Sequence, residues 1–262
     1  MQTGDSETIR VEHPTEMVGH IVLNRPDRLN TVSPEMLEEF ATAIETFEED
    51  ENIRSLLITG AGDRAFSAGA DAVSLASNPD DVIETLRRGQ QVWGRLEEVG
   101  MPVVAGIDGY CFGGGMELAM CADMRIATER SEFGLPEFDL GIIPGWGGTQ
   151  RLRHIVGEGR LREMIFTADH YDAETMAEYG FLNEVVDNDA LDAAAVELAD
   201  DLAHGPPLAM EYAKEAILVG REDSEAGLEA EISAYSHLIT TEDAMEGVMK
   251  IQTDEDPEFE GK

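Results

Sequence analysis

Lysine is almost missing from this chain of 262 residues; it occurs only at Lys214, Lys250 and Lys262. Cysteine is scarcer still, at Cys111 and Cys121 alone, and two cysteines in a chain of this length build no disulfide framework. Both are expected to be reduced, small core residues. The histidines, from His13 and His20 onward, show no paired ligand spacing, so no metal site is expected. Basic residues number 18 against 55 acidic ones, a formal net charge of −37. That balance leaves no basic patch for nucleic acid or an anionic membrane. No apolar run is long enough to span a bilayer. The opening Met1-Gln2-Thr3-Gly4-Asp5 is polar and acidic, unlike a signal peptide. These absences lead us to expect a cytoplasmic protein.

The apolar content argues that the charge does not mean disorder. Hydrophobic residues make up 42% of the chain, enough for a sizeable core. The acid is spread over helix faces, as from Glu35 to Glu51 and from Glu222 to Glu231. The expectation is a folded protein with an acidic surface adapted to a salt-rich cytosol. Salt at 1 M shortens the Debye length to about 3 Å and screens the self-repulsion of such a surface.

Patterning along the chain is α/β. Residues 8–12 and 18–24 alternate like a hairpin. Ser33-Pro34 opens a helix whose buried face is Met36, Phe40, Ile44 and Phe47. Strands are expected over 53–59, 103–107 and 124–128, with a helix over 80–99 and another opened by Gly113-Gly114-Gly115. From Gly157 onward the pattern is mostly helical, starting with a helix over 160–167. Gly205-Pro206-Pro207 marks a boundary, which divides the chain into a core of residues 1–204 and a helical region of residues 205–262.

Two glutamates stand out: Glu117, after the glycine run, and Glu137, in Leu135-Pro136-Glu137-Phe138. Each is a charge in an apolar or glycine-rich neighbourhood, where a carboxylate is rare unless it is paired or has a chemical task. A glycine-rich helix start exposes amides without intrahelical partners, a place for an anion or a developing oxyanion. Ala68-Gly69-Ala70-Asp71 is a second small-residue turn after a strand. Together these features point to acid/base work beside an anion-stabilising site. Taken singly, each glutamate is equally an ordinary helix-start carboxylate, and the glycine run a tight packing contact.

The ordered set of motifs resembles the enoyl-CoA hydratase/isomerase (crotonase) superfamily almost from end to end. Its marks are Leu23-Asn24-Arg25-Pro26 with Leu29-Asn30, then 65–71, 102–117, 135–137, and Gly141 through Arg151. The resemblance implies a spiral of repeated ββα turns with a C-terminal helical region, assembled as a homotrimer or dimer of trimers. It implies an acyl-CoA thioester substrate and no cofactor beyond the coenzyme A carried by that substrate. It implies that the amides of Ala70 and Gly114 hold the thioester oxygen, with Ala68 and Asp71 beside it. Hydratases of this family use two glutamates matching Glu117 and Glu137, the first holding and deprotonating water, the second protonating the α-carbon. A Δ3,Δ2-enoyl-CoA isomerase, the nearest competitor, shares the oxyanion hole and typically uses one base.

Three departures from the family pattern bear on the substrate. Ala72-Val73-Ser74-Leu75 follow the aspartate, where a lysine and an acid are common, and the end of the chain is acidic at Thr253-Asp254-Glu255-Asp256-Pro257. Arg28 and Arg64 are the candidate replacements for the missing phosphate contacts. Trp146 fills a position near the acyl pocket that is often smaller, so it either shortens the acyl chain accepted or packs in the core.

Other classes have less support. Phe66-Ser67-Ala68-Gly69 lacks the first glycine of a nucleophile elbow, and no histidine is spaced to serve Ser67 as base. A non-catalytic acidic scaffold predicts no acyl-CoA binding.

Overall fold

Each of three ββα turns gives its first strand to a larger sheet and its second to a smaller one. The computed structural model describes residues 8–71, 79–253 and 257–262. Strands β1 (Ile9–Glu12) and β2 (Val18–Leu23) form an antiparallel hairpin with Ile9 opposite Leu23. Helix α1 (Pro34–Glu48) follows. Its N-cap Ser33 accepts from the Met36 amide at 3.2 Å, and Met36, Phe40, Ile44 and Phe47 are buried. Three ββα turns come next. The first is β3 (Ser55–Gly60), β4 (Ala65–Ser67) and α2 (Pro79–Glu98). The second is β5 (Val103–Ile107), β6 (Tyr110–Phe112) and α3 (Gly114–Ala119). The third is β7 (Met124–Thr128), β8 (Glu132–Gly134), a 3-10 turn over Pro136–Leu140, and α4 (Gly148–Thr167). Then β9 (Tyr171–Asp172), α5 (Ala173–Glu178), β10 (Glu184–Val186) and α6 (Leu191–Ala203) complete the sheets and cover them.

The larger sheet has six strands in the order β1-β2-β3-β5-β7-β10, parallel apart from the hairpin. The smaller has four in the order β4-β6-β8-β9, with only β8 and β9 antiparallel. Parallel strands buried on both faces read as near-continuous apolar runs, as Val103-Val104-Ala105-Gly106-Ile107 does. One face of the larger sheet packs in the main core with Phe40, Trp93, Leu96 and Met116. On the other, Val18, Leu57, Val104 and Ile126 meet Leu191, Ala195 and Ala199 of α6.

The smaller sheet is where expectation and structure part. β4, β6 and β8 have three residues each, too short to display a two-residue period, and none of them is among the strands whose bounds the sequence marks. The other difference is α4, which begins at Gly148, twelve residues before the expected start at Arg160, and bends at Gly157, where φ is 80°. Gly157 and Gly159 hide that continuity from a periodicity argument. Residues Ala72 to Leu75, which break the family pattern, lie outside the described residues.

Helices α7 (Pro207–Glu222), α8 (Ser224–Leu238) and α9 (Glu242–Thr253) form the C-terminal helical region. Polar ties hold it to the rest: Lys214 Nζ lies 2.7 Å from Asp123 Oδ2, and Arg54 Nη1 donates to the Phe259 carbonyl at 2.6 Å. Its outer faces expose Ile217, Leu228, Ile232, Tyr235, Ile239 and Ile251. No helix among the described residues is long and apolar enough to cross a membrane.

Candidate active site

Two turns, one from each of the first two ββα units, meet at the end of the smaller sheet. The first leaves β4 through Ser67, whose buried hydroxyl donates to the Asn30 carbonyl at 2.8 Å and accepts from the Gly69 amide at 3.2 Å. Asn30 is also buried, and its side-chain amide donates to the carbonyls of Ala61 at 2.9 Å and Ala65 at 2.8 Å. Val32 then pairs with Ala70 as a parallel bridge, its amide donating to the Gly69 carbonyl at 2.8 Å while Asp71 N donates to the Val32 carbonyl at 2.9 Å. Such a bridge uses the flanking groups and leaves the Ala70 N–H pointing away from Val32. Gly69 has a φ of +97°, and a Cβ there would fall 2.9 Å from the Phe112 carbonyl oxygen, so only glycine brings the turns this close.

The second turn leaves β6 at Gly113, whose amide donates to the Gly134 carbonyl at 2.9 Å. Gly114 opens α3. A Cβ built on Gly114 would lie 3.3 Å from the Ala70 nitrogen and collide with the Trp146 ring. The amides of Ala70 and Gly114 thus lie side by side, and among the described residues neither donates a hydrogen bond to the protein. A pair of unspent N–H groups in a turn and at a helix start is a binding place for a negative oxygen.

Glu117 stands one turn into α3 and is 2% exposed. Its Oε1 accepts from the amides of Trp146 and Gly148, both at 2.8 Å. Burial pushes its pKa up, while those two amides, the nearby Arg151 and the Gly145 amide pull it back. Glu137 comes from the 3-10 turn. Its Oε1 lies 2.8 Å from the point a Gly113 Cβ would occupy, and its buried Oε2 has no hydrogen-bond partner. Burial, then the charge of Glu117, raise its pKa to about 7. The two carboxyls are held in one space but differently: two backbone amides from another loop grip Glu117 Oε1, whereas Glu137 has only its own amide to draw its pKa down and its Oε2 has no partner.

That space is a cavity of ≈ 800 Å³. Ala68, Ala70, Gly114, Glu117, Glu137 and Trp146 all line it, so six of the residues singled out in the sequence come together. Its apolar wall comes from Val82 and Leu86 of α2 and from Leu140, Ile142 and Ile143. Sequence reasoning missed these five. Val82 and Leu86 lie on a helix that the sequence marks only as a helix, and Leu140, Ile142 and Ile143 lie at the end of the 3-10 turn and on the loop after it, where no period points to them.

Three of the expected residues stand elsewhere. Asp71 is 6% exposed and is not in the cavity wall; its Oδ2 lies 3.0 Å from Arg25 Nη2 and 3.8 Å from Arg28 Nη1. Its carboxylate turns toward the arginine loop and fastens the first turn rather than facing a ligand. Arg25 Nη1 also donates to the Thr31 carbonyl at 2.6 Å, which gives the Asn24-Arg25-Pro26 motif its structural purpose. Arg28 is 64% exposed, and Arg64 is exposed as well; neither lines the cavity. Ser67 is fully buried and its hydroxyl is spent on the backbone, which removes it as a nucleophile.

The sequence model of the enoyl-CoA hydratase/isomerase family matches residues 14–262. The chain belongs to the enoyl-CoA hydratase/isomerase family. It is 37% identical over 230 residues to a short-chain-enoyl-CoA hydratase of Clostridium acetobutylicum, covering 86% of this chain and 87% of the relative. It is 35% identical over 244 residues to a 2,3-dehydroadipyl-CoA hydratase of Escherichia coli, covering 92% and 94%. A crystal structure of an enoyl-CoA hydratase from Bacillus anthracis superposes with a TM-score of 0.93 at 38% identity, covering 97% of this chain and all of that one. The crotonase fold is therefore shared, and the chain is an enzyme of this family. Relatives of nearly equal identity carry names with different acyl groups, so similarity does not choose the acyl group here.

Proposed function

We propose that this enzyme is an enoyl-CoA hydratase, a hydro-lyase that adds water across the 2,3 double bond of a 2-enoyl-CoA to give a 3-hydroxyacyl-CoA. The observation that carries the reading is the convergence of two carboxyls and two unspent amides on one cavity. The thioester oxygen sits between the amides of Ala70 and Gly114. Water sits between Glu117 and Glu137. Glu117, whose two amide hydrogen bonds and neighbouring Arg151 oppose the upward push of burial, takes a proton from the water as its oxygen bonds to the β-carbon. The π electrons move onto the thioester oxygen, where the two amides stabilise the enolate; losing one such donor costs about 10²–10³ in rate. Glu137, with a pKa near its working pH, gives its proton to the α-carbon. A proton then passes from Glu117 to Glu137 by way of the next water, and the site is restored.

Coenzyme A enters as part of the substrate, and no separate cofactor is invoked. Arg28, exposed and 3.8 Å from Asp71 of the first turn, and Arg64, exposed just before β4, are the residues assigned to its phosphates, while Trp146, Leu86 and Ile142 bound the acyl chain. The protein works in a salt-rich cytosol, for which the net charge of −37 and the scarcity of lysine are the support. It assembles as a homotrimer or dimer of trimers, a state that covers the apolar side chains exposed on α7, α8 and α9. Light scattering after size exclusion in molar KCl gives three or six chains on this reading.

The test is loss of the conjugated enoyl absorbance of crotonyl-CoA in molar KCl. Rapid loss that Glu117→Gln abolishes supports the hydratase. A folded protein that leaves crotonyl-CoA untouched but converts a 3-enoyl-CoA is an isomerase instead.

A further inference from the structure

Glu117 is gripped by a short stretch of backbone, and that stretch is itself held from behind. Trp146 donates its amide to Glu117 Oε1, and its carbonyl accepts from Arg151 Nη1 at 2.8 Å. Arg151, on the first turn of α4, donates through Nε to Glu97 Oε2 at 2.6 Å. Glu97, near the end of α2, also receives Arg221 of α7 on its other oxygen. Glu97 is 14% exposed and Arg151 16% exposed, so the pair is largely removed from water. Gly147 lies between the two amides that hold Glu117, with a φ of +110°, and any side chain there would collide with the Arg151 guanidinium.

The charges do not cancel. One carboxylate, Glu97, serves two guanidiniums, so the cluster keeps a net positive charge behind Glu117. The planar fork of arginine supplies this charge and, at the same time, bonds to a carboxylate and a carbonyl, which a lysine does not reproduce. In a chain with so few cations, this is a costly arrangement for packing alone.

We infer that Arg151, anchored by Glu97, is a positioning residue for the Glu117 carboxylate: its fork fixes the Trp146–Gly148 backbone and its charge favours the ionised base. This rests on the hydratase reading, in which Glu117 takes the proton from water. The two contributions are separable. Charge acts on the pH at which Glu117 ionises, and the fork acts on where its oxygen stands.

The experiment compares Arg151→Gln, Arg151→Lys and Glu117→Gln by the pH dependence of kcat for crotonyl-CoA in molar KCl. Arg151→Gln lowers kcat by about ten- to hundredfold, the size of effect a small misplacement produces. It leaves KM within about twofold, because Arg151 does not line the cavity. Its acid limb moves up by about one pH unit, since loss of a neighbouring cation raises a carboxyl pKa. Its alkaline limb stays, because the Glu137 pKa is set by burial and by the charge of Glu117, which is ionised in that range with or without Arg151. Arg151→Lys keeps the charge, so its acid limb stays near that of the unsubstituted enzyme while kcat falls. An unchanged acid limb in folded Arg151→Gln overturns the inference while leaving the hydratase reading intact. If Arg151→Gln does not fold, Arg151→Lys decides, and an unaltered kcat there overturns the inference. If Glu117→Gln itself turns over normally, the hydratase reading has failed, and this inference fails with it.

Discussion

Glu117 and Glu137 are the same residue type in the same cavity, but they stand on opposite kinds of support. Glu117 projects from a helix wedged inside the spiral, and backbone amides and Arg151 make ionisation tolerable despite nearly complete burial. Glu137 projects from a 3-10 turn whose neighbours Phe138 and Leu140 are exposed, and its buried Oε2 has no partner. The difference teaches how one side chain is given two jobs. Several hydrogen bonds to the charged form favour a base, and a buried carboxyl with few of them, facing another negative charge, favours an acid.

The sharpest way to break this contrast is to neutralise each carboxyl. Glu117→Gln and Glu137→Gln should each cut hydration of crotonyl-CoA by about 10²–10⁴, measured as kcat, because each removes a positioned acid or base. Near-normal turnover in either variant removes that glutamate from the mechanism. The next effect is on the framework that brings the amides together. Asp71→Ala leaves the half-buried Arg25 without its carboxylate, which should cost up to about 3 kcal/mol in denaturant unfolding, the low end for breaking a buried pair. A loss within experimental error would mean that the turn is fixed by Asn30 and Ser67 alone.

A smaller effect separates the two carboxyls by pH. The folded pKa of Glu137 is about 7 against an ordinary 4.5, so its stability contribution is complete below 4.5 and lost as pH rises through 7. Glu137→Gln does not incur that loss. Its Tm should match that of the unsubstituted protein at pH 4.5 and exceed it at pH 8, by differential scanning calorimetry in molar KCl. An unchanged difference across that range would mean that Glu137 is not raised. Salt acts on the surface as a whole and does not distinguish the two sites. Raising KCl from 0.1 M to 1 M, which shortens the Debye length from about 10 Å to about 3 Å, should raise Tm without altering the Glu137→Gln difference.

Much of this was legible in the chain because it depends on local chemistry. The hairpin, α1 with its Ser33 cap, and the apolar strands of the larger sheet each declare themselves through a period or a cap. The glycine turns and both glutamates are conspicuous as charges among small residues. What was hidden is short or distant. Three-residue strands have no period, and yet β4 and β6 bring the two turns side by side. The resemblance set Asp71 beside the substrate, and nothing in the chain announces its partner Arg25, 46 residues away. The Arg151–Glu97–Arg221 cluster joins three helices, and no spacing along the chain announces it.

The division of labour between the two glutamates is tested most directly with a substrate that has no double bond to hydrate. Butyryl-CoA in D2O exposes only the α-proton step, which the account assigns to Glu137 and the oxyanion amides. Followed by proton NMR, exchange of the α-hydrogens should survive in Glu117→Gln, within about tenfold of the unsubstituted enzyme, and fall by about 10²–10⁴ in Glu137→Gln. Exchange that survives in Glu137→Gln and disappears in Glu117→Gln would contradict the account and reverse the two roles.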